Sequence, residues 1–212
     1  MSNLLLARNA LMARHPLLPR EYQQVEYIES TGTQWIDTGV IPVVTSAYTI
    51  QTRFCPTNIS GEQYVIATDF NNSSGNRKSR LTCVGWYQGR FLFGWCNWSQ
   101  GISLSINEWY DISESFSNGN QSINLNNFHY SANWTQTATF LSTIKIGGAK
   151  GQSQYNSFAK IGNTKIIVDG APVRDFIPCY KKSNSEAGMF DIVNHRFYSS
   201  VASPFLYGPE TL

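Results

Sequence analysis

The sequence predicts an all-β fold, two antiparallel sheets stacked as a sandwich, and three observations carry that prediction. Charged residues make up only 14% of the chain and aromatic residues another 14%. An ordinary domain carries roughly 25% charged residues, so large apolar faces must stand among hydroxyl and amide side chains. Turn-forming clusters recur at intervals of about ten residues from residue 22 onward, the spacing of sandwiches built from short strands. Between the turns, apolar and polar residues alternate with the period of half-buried strands. At 212 residues, one such domain with a short appendage is expected.

The appendage comes first. Residues 3–14, NLLLARNALMAR, are strong helix formers, with Ser2 or Asn3 as N-cap and Pro16 ending the run. Leu4, Ala7 and Leu11 share a stripe that Leu5 and Met12 extend, so residues 1–16 read as a helical anchor. A helix of about twelve residues is marginal alone, and the stripe needs its own domain, a second copy or another protein to pack on. Assembly as a homo-oligomer is expected, although the helix holds too few heptads to set the number of copies. Pro16 and Pro19 stiffen the chain into a spacer, residues 17–21, and the β-domain fills 22–212.

Residues 25–40, VEYIESTGTQWIDTGV, read as a hairpin around Ser30-Thr31-Gly32. Residues 48–54 place Tyr48, Ile50 and Thr52 on one strand face and Thr49, Gln51 and Arg53 on the other. A strand at 63–68 runs into an Asn- and Ser-rich loop at 69–76, a candidate ligand rim. Strands at 80–86 and 90–95 flank Tyr87-Gln88-Gly89, the second with Phe91, Phe93 and Trp95 on a core face. Further strands are expected at 108–116, 122–125, 143–146, 158–169 and 173–180, with Asp169-Gly170 as a turn between the last two. The final pair, 189–193 and 196–199, flanks Asn194-His195. A two-residue turn there needs positive φ twice, which His tolerates less well than Gly, so strain or a longer loop is expected.

Several function classes drop out. Sixteen basic and fourteen acidic residues leave a net charge of +2 with no long run of either sign, too little for a nucleic acid partner. No run approaches the roughly 18 apolar residues of a membrane-spanning helix, and no membrane partner is expected. The Leu4-Leu5-Leu6-Ala7 run is interrupted by Arg8-Asn9 and lacks a charged n-region, a poor match to a secretory signal. Cys55, Cys83, Cys96 and Cys179 show no C-x-x-C or zinc spacing and read as separate thiols, with one or two disulfides as the alternative.

Catalytic motifs are absent. His15, His129 and His195 sit beside no nucleophile motif such as G-x-S-x-G, and residues 147–151, GGAKG, lack the G-K-[ST] of a phosphate loop. No cofactor is expected; Asp69 and Asn71 are the only nucleus for a calcium ion, which takes hard oxygen ligands. Carbohydrate binding needs an aromatic face with amides or carboxylates beside it. Trp98 with Asn97, Trp134, and Trp86 with Tyr87 offer that in candidate loops, and Asn72 sits on the 69–76 rim. Arg174 is expected to pair with a carboxylate such as Asp191 at a sheet edge.

Two stretches carry a family resemblance: VEYIESTGTQWIDTGV at 25–40 and VRDFIPCYKKSNSEAGMFDIVNHRFYSS at 173–200. They resemble the paired ends of LamG-like, concanavalin A-type jelly-roll domains found in tail, fibre and other virion proteins of bacteriophages and prophages of gut bacteria. The family usually has Tyr where Trp35 and Phe190 stand, and Gly where His195 stands. The resemblance implies a jelly roll with adjoining first and last strands and a binding or structural role, and, since Glu108-Trp109-Tyr110 resembles the family's core strand, a Trp109 buried in the core. Glycosidases on this scaffold share an E-x-D-x-x-E strand, which is absent here. Its nearest approach, Asp111 and Glu114, puts the two carboxylates on opposite strand faces as solvent-exposed charges. The expected protein is therefore non-enzymatic and located in the virion, as a capsid decoration, fibre or tail-associated subunit. Its N-terminal helix would bind other virion proteins and its jelly roll cell-surface or mucin glycans. The alternative is a free carbohydrate-binding module of a gut bacterium, and after that a glycoside hydrolase on the same scaffold.

Overall fold

A computed structural model of the chain describes residues 18–43, 45–72, 77–93, 97–117, 119–133, 138–140, 142–148 and 157–211. The anchor residues Leu4, Leu5, Ala7, Leu11 and Met12 lie outside them, as do Trp95, Cys96 and Trp134. For Asp69, Asn71, Asn72, Asn97 and Trp98 the backbone alone is described.

Among the described residues every helix or strand is a strand. In order they are β1 (Tyr22–Gln24), β2 (Ile28–Thr31), β3 (Ile36–Asp37), β4 (Tyr48–Pro56), β5 (Glu62–Asn72) and β6 (Arg77–Tyr87). Then come β7 (Arg90–Phe93), β8 (Asn97–Ser103), β9 (Tyr110–Ser117), β10 (Asn120–Leu125), β11 (Phe128–Asn133) and β12 (Ala138–Phe140). The last are β13 (Lys145–Ile146), β14 (Phe158–Val168), β15 (Ala171–Lys181), β16 (Ala187–Asp191), β17 (Arg196–Ser199) and β18 (Leu206–Tyr207). They build an 11-stranded sheet, β11-β10-β9-β4-β14-β15-β16-β17 with β1 on β15 and β18-β2 on β14, and a 7-stranded sheet, β3-β13-β5-β6-β7-β8 with β12 on β5. All these pairings are antiparallel.

The alternation read from β4 holds: Tyr48, Ile50, Thr52 and Phe54 are buried, while Gln51 and Arg53 are exposed. The inward side chains of both sheets, among them Ile50, Phe54, Ile66, Trp86, Phe91 and Phe93, form the core. The outward face of β4 is thereby left to polar side chains.

The hairpin expected at 25–40 does not form. β2 pairs with β14 and β18 in the large sheet, whereas β3 pairs with β13 in the other sheet. Gly32, at φ 96°, lets the chain cross between the layers instead of doubling back, and a Cβ there would run into the Phe158 ring. Buried Gln34 holds the crossing: its Oε1 accepts from the Thr31 amide at 2.8 Å and its Nε2 donates to the Pro204 carbonyl at 2.9 Å. The two resemblance-bearing stretches do touch, the Val25 amide donating to the Pro178 carbonyl at 3.0 Å and Arg174 Nε to the Thr38 carbonyl at 2.8 Å, and the last strand, β18, pairs with β2.

Two expected loops are strand in their described parts, residues 73–76 of the first lying outside the described residues. β5 continues to Asn72 and β6 begins at Arg77, so Asp69, Asn71 and Asn72 belong to a strand rather than a rim. Asn97 and Trp98 open β8, where Leu92 is the cross-strand partner of Trp98. Asn and Ser favour turns only while their backbone lacks partners, and a neighbouring strand supplies them. The last hairpin takes the longer loop expected of it: β16 ends at Asp191, β17 starts at Arg196, and His195 has φ 52°.

Where β3 meets β13, the buried Lys145 reaches Asp37 at 2.7 Å and also touches Thr143. Burial pushes the Asp37 carboxyl up, but hydrogen bonds from Lys145, Thr143 and the Gly39 amide outweigh it and hold the group below its usual range. A carboxyl depressed in the folded state adds stability above its unfolded value, near 3.8, and loses it as pH falls through the folded value. Thermal melts between pH 2 and pH 7 are expected to drop in this acid window, and Asp37→Asn should flatten that part of the profile.

Candidate functional site

The large sheet contains a fork. β14 pairs with β2 through Phe158–Ile161 and with β15 through Thr164–Val168, and Gly162 and Asn163 fall at the break. The register of β14 against β4 shifts at the same place, a bulge of the kind that re-aims side chains beside binding sites. β1 takes the place beside β15 that β14 has left, and the Val25 amide donates to the Pro178 carbonyl at 3.0 Å. Over this fork, on the face away from the core, lies a cleft of about 800 Å³ walled by Gln24, Val25, Glu26, Trp109 and Thr211.

A polar row crosses the cleft. Cross-strand register places Asn124, Ser113, Gln51, Lys165 and Asp175 side by side on β10, β9, β4, β14 and β15. Lys165 Nζ lies 2.8 Å from Asp175 Oδ2, and Asn124 Oδ1 lies 2.8 Å from His129 Nδ1. In the next row Arg53 faces Asp111, Nε to Oδ1 3.7 Å, with the two side chains 55% and 75% exposed. A pair that exposed contributes little to stability, so its hydrogen-bonding capacity is free to meet a ligand. The Arg53 guanidinium also lies 4.7 Å from the Trp109 ring centre, and Tyr27 packs against the same ring at 5.8 Å.

The residues singled out from sequence are not the ones gathered here. Trp86 is fully buried and stacks on Phe54, 6.0 Å between ring centres, because its strand position points into the core. Tyr87 is half-buried against Tyr64, Ala67 and Leu92 on the other sheet. Asn72, Asn97 and Trp98 also stand on that sheet's backbone, and Trp134 lies outside the described residues. Trp109, expected in the core, is half-exposed and forms a cleft wall: Tyr110, Ile112 and Glu114 point inward, and the same alternation carried back one residue turns Trp109 outward with Asp111 and Ser113. Asp111 and Glu114 do take opposite faces, but Glu114 is not solvent-exposed: it points inward, buried, and accepts from Gln121 Nε2 at 2.6 Å.

Arg174 and Asp191 pair as expected, Nε to Oδ2 3.5 Å, yet in the interior rather than at an edge, with Asp191 fully buried. Cys55 and Cys179 are buried free thiols, and burial pushes Cys179 up to about 12. Among the described residues no three His, Cys, Asp or Glu side chains cluster to hold a metal ion. Of the cleft residues missed from sequence, Gln51 and Arg53 were legible only as outward strand positions, and Lys165 and Asp175 only as members of expected strands. Their convergence depends on pairing between strands that are distant in the chain.

No family model and no curated protein matches the sequence. Solved structures do match in fold. A protein from Bacteroides ovatus, provisionally described as a carbohydrate binding protein, aligns with a TM-score of 0.53 at 11% identity over 92% of this chain and 62% of its own length. Domains LG4-5 of the mouse laminin alpha1 chain align at 0.42 and 15% identity over 73% of this chain and 43% of theirs. A Trypanosoma rangeli sialidase mutant displaying trans-sialidase activity aligns at 0.45 and 11% over 60% of this chain and 21% of its own. The chain thus spans less than two thirds of the length of each of these three proteins. With the first of them it shares one architecture, a two-sheet antiparallel jelly-roll sandwich.

Proposed function

We propose that this chain is a carbohydrate-binding module that holds a glycan in the cleft over the β14–β15 fork and does not turn it over. One observation carries the reading: the half-exposed Trp109 stands beside a row of amide, hydroxyl, ammonium and carboxylate groups. Sugars are recognised by that combination, an aromatic surface for the ring and paired donors and acceptors for its hydroxyls. The fold shared with a protein provisionally described as carbohydrate binding supports it. The absence of the E-x-D-x-x-E pattern and the inward turn of Glu114 favour binding over hydrolysis.

A glycan array followed by calorimetry tests this. The intact chain should retain at least one glycan, and Arg53→Ala and Lys165→Ala should each weaken it about tenfold with unchanged circular dichroism. If Trp98→Ala abolishes binding while both cleft variants bind normally, the site lies on the other sheet. Release of new reducing ends from the bound glycan would instead make the protein a hydrolase.

We further propose a virion location and attachment through residues 1–16, a reading that rests on the resemblance of the two end stretches alone. A chain lacking residues 1–16 that still assembled onto particles would remove that attachment.

A further inference from the structure

We infer that the cleft takes an extended, neutral glycan chain laid across the strands, several rings at a time, rather than one terminal sugar. The inference rests on the carbohydrate reading above and deepens it.

Asn124, Ser113, Gln51, Lys165 and Asp175 are successive cross-strand partners, so the sheet itself sets their spacing. Neighbours on adjacent strands lie about 4.8 Å apart, and the row spans roughly 19 Å. A pocket for a single terminal sugar converges its polar groups on one place. Here they stand in a line perpendicular to the strands, at a repeat close to that of a β-linked pyranose chain, and each successive ring meets a new side chain. The bulge at Gly162 and Asn163 does not interrupt the line, because Lys165 keeps both its partners, Gln51 and Asp175. At its far end the row continues to His129 on β11, which is exposed.

The charges along the line set the chemical class. Each of the two cations in the cleft already faces a carboxylate, Lys165 with Asp175 at 2.8 Å and Arg53 with Asp111 at 3.7 Å, and Glu26 adds a further acid to the wall. A uronic or sialic carboxylate would meet three carboxylates against two cations, and at Lys165 it would have to displace Asp175. A neutral hydroxyl can donate to the carboxylate and accept from the cation while both pairs stay together.

Calorimetric titration of the full chain tests this, using neutral β-linked gluco- and manno-oligosaccharides of one to eight rings and uronic acid oligomers of the same lengths. Affinity should climb with each ring up to about four or five and then level off, with the uronic oligomers binding at least tenfold more weakly. Asn124→Ala should weaken the longest oligomers about fivefold and bring the plateau forward by one ring. Equal affinity for one ring and eight overturns the extended chain and leaves the carbohydrate reading standing. Tighter binding of the uronic series overturns the neutral class. A blank series beside a glycan array positive only for terminal or branched structures overturns this inference alone, whereas a blank series and a blank array remove both.

Discussion

Replacing Trp86 with alanine is expected to lower stability by about 4 kcal/mol, the largest single loss among the core positions, read from the denaturant midpoint at unchanged slope. Trp86 is fully buried, and its ring lies 6° from parallel to that of Phe54, so the pair bridges the two sheets. Strands on both sides hold the site open, and the cavity left by alanine cannot collapse. Trp86→Phe separates two effects. The indole N–H has no hydrogen-bond partner among the described residues, a burial that itself costs free energy. Phenylalanine removes that group and keeps most of the packing, so its loss should be less than half that of alanine. Equal losses would show that the N–H is no liability. Neither variant should alter glycan affinity, because Trp86 faces the core and the cleft lies on the opposite side of the other sheet.

Asp191→Ala should cost about 3 to 5 kcal/mol and weaken binding as well. The buried carboxylate accepts from the Asp175 amide and the Val193 amide, each at 3.0 Å, and from Asn194 Nδ2 at 2.7 Å, with Arg174 at 3.5 Å. Alanine leaves the two amides and one Asn194 N–H without their acceptor and the largely buried guanidinium, which keeps the Thr38 carbonyl, without its counter-charge. The Asp175 amide is the link to function, since Asp175 ends the polar row and holds Lys165. Asp191→Asn keeps an oxygen for the amides and should recover about half the stability. Unfolding and calorimetry on the same two variants check the coupling. A chain destabilised by Asp191→Ala with unaltered affinity would confine Asp191 to a structural role.

Sheets and sites differed in how far they could be read ahead. The strands at 48–54 and 158–169 were legible because they alternate with period two, and those at 63–68 and 173–180 because a short apolar run is bounded by polar and turn residues, both local properties of successive side chains. β8 and β11 were not, because their Asn, Ser and Gly composition matches a turn until a neighbouring strand supplies hydrogen bonds. The segment at 25–40 misled for a related reason. Its turn residues are real, but Gly32 carries the chain to the second sheet instead of back along the first. Aromatic residues near turn formers pointed to Trp86 and Trp98, whereas the aromatic that reaches the cleft is Trp109, which shares the outward parity of Asp111 and Ser113.

The sequence by itself determined the class of fold, the face each well-patterned strand buries and the lack of a recognisable catalytic motif, all of which follow from neighbours along the chain. Only the tertiary structure decided that Gln51, Arg53, Asp111, Lys165 and Asp175 share one surface. Those residues are brought together by register between strands far apart in sequence, and a register shift of one residue would have turned any of them into the core.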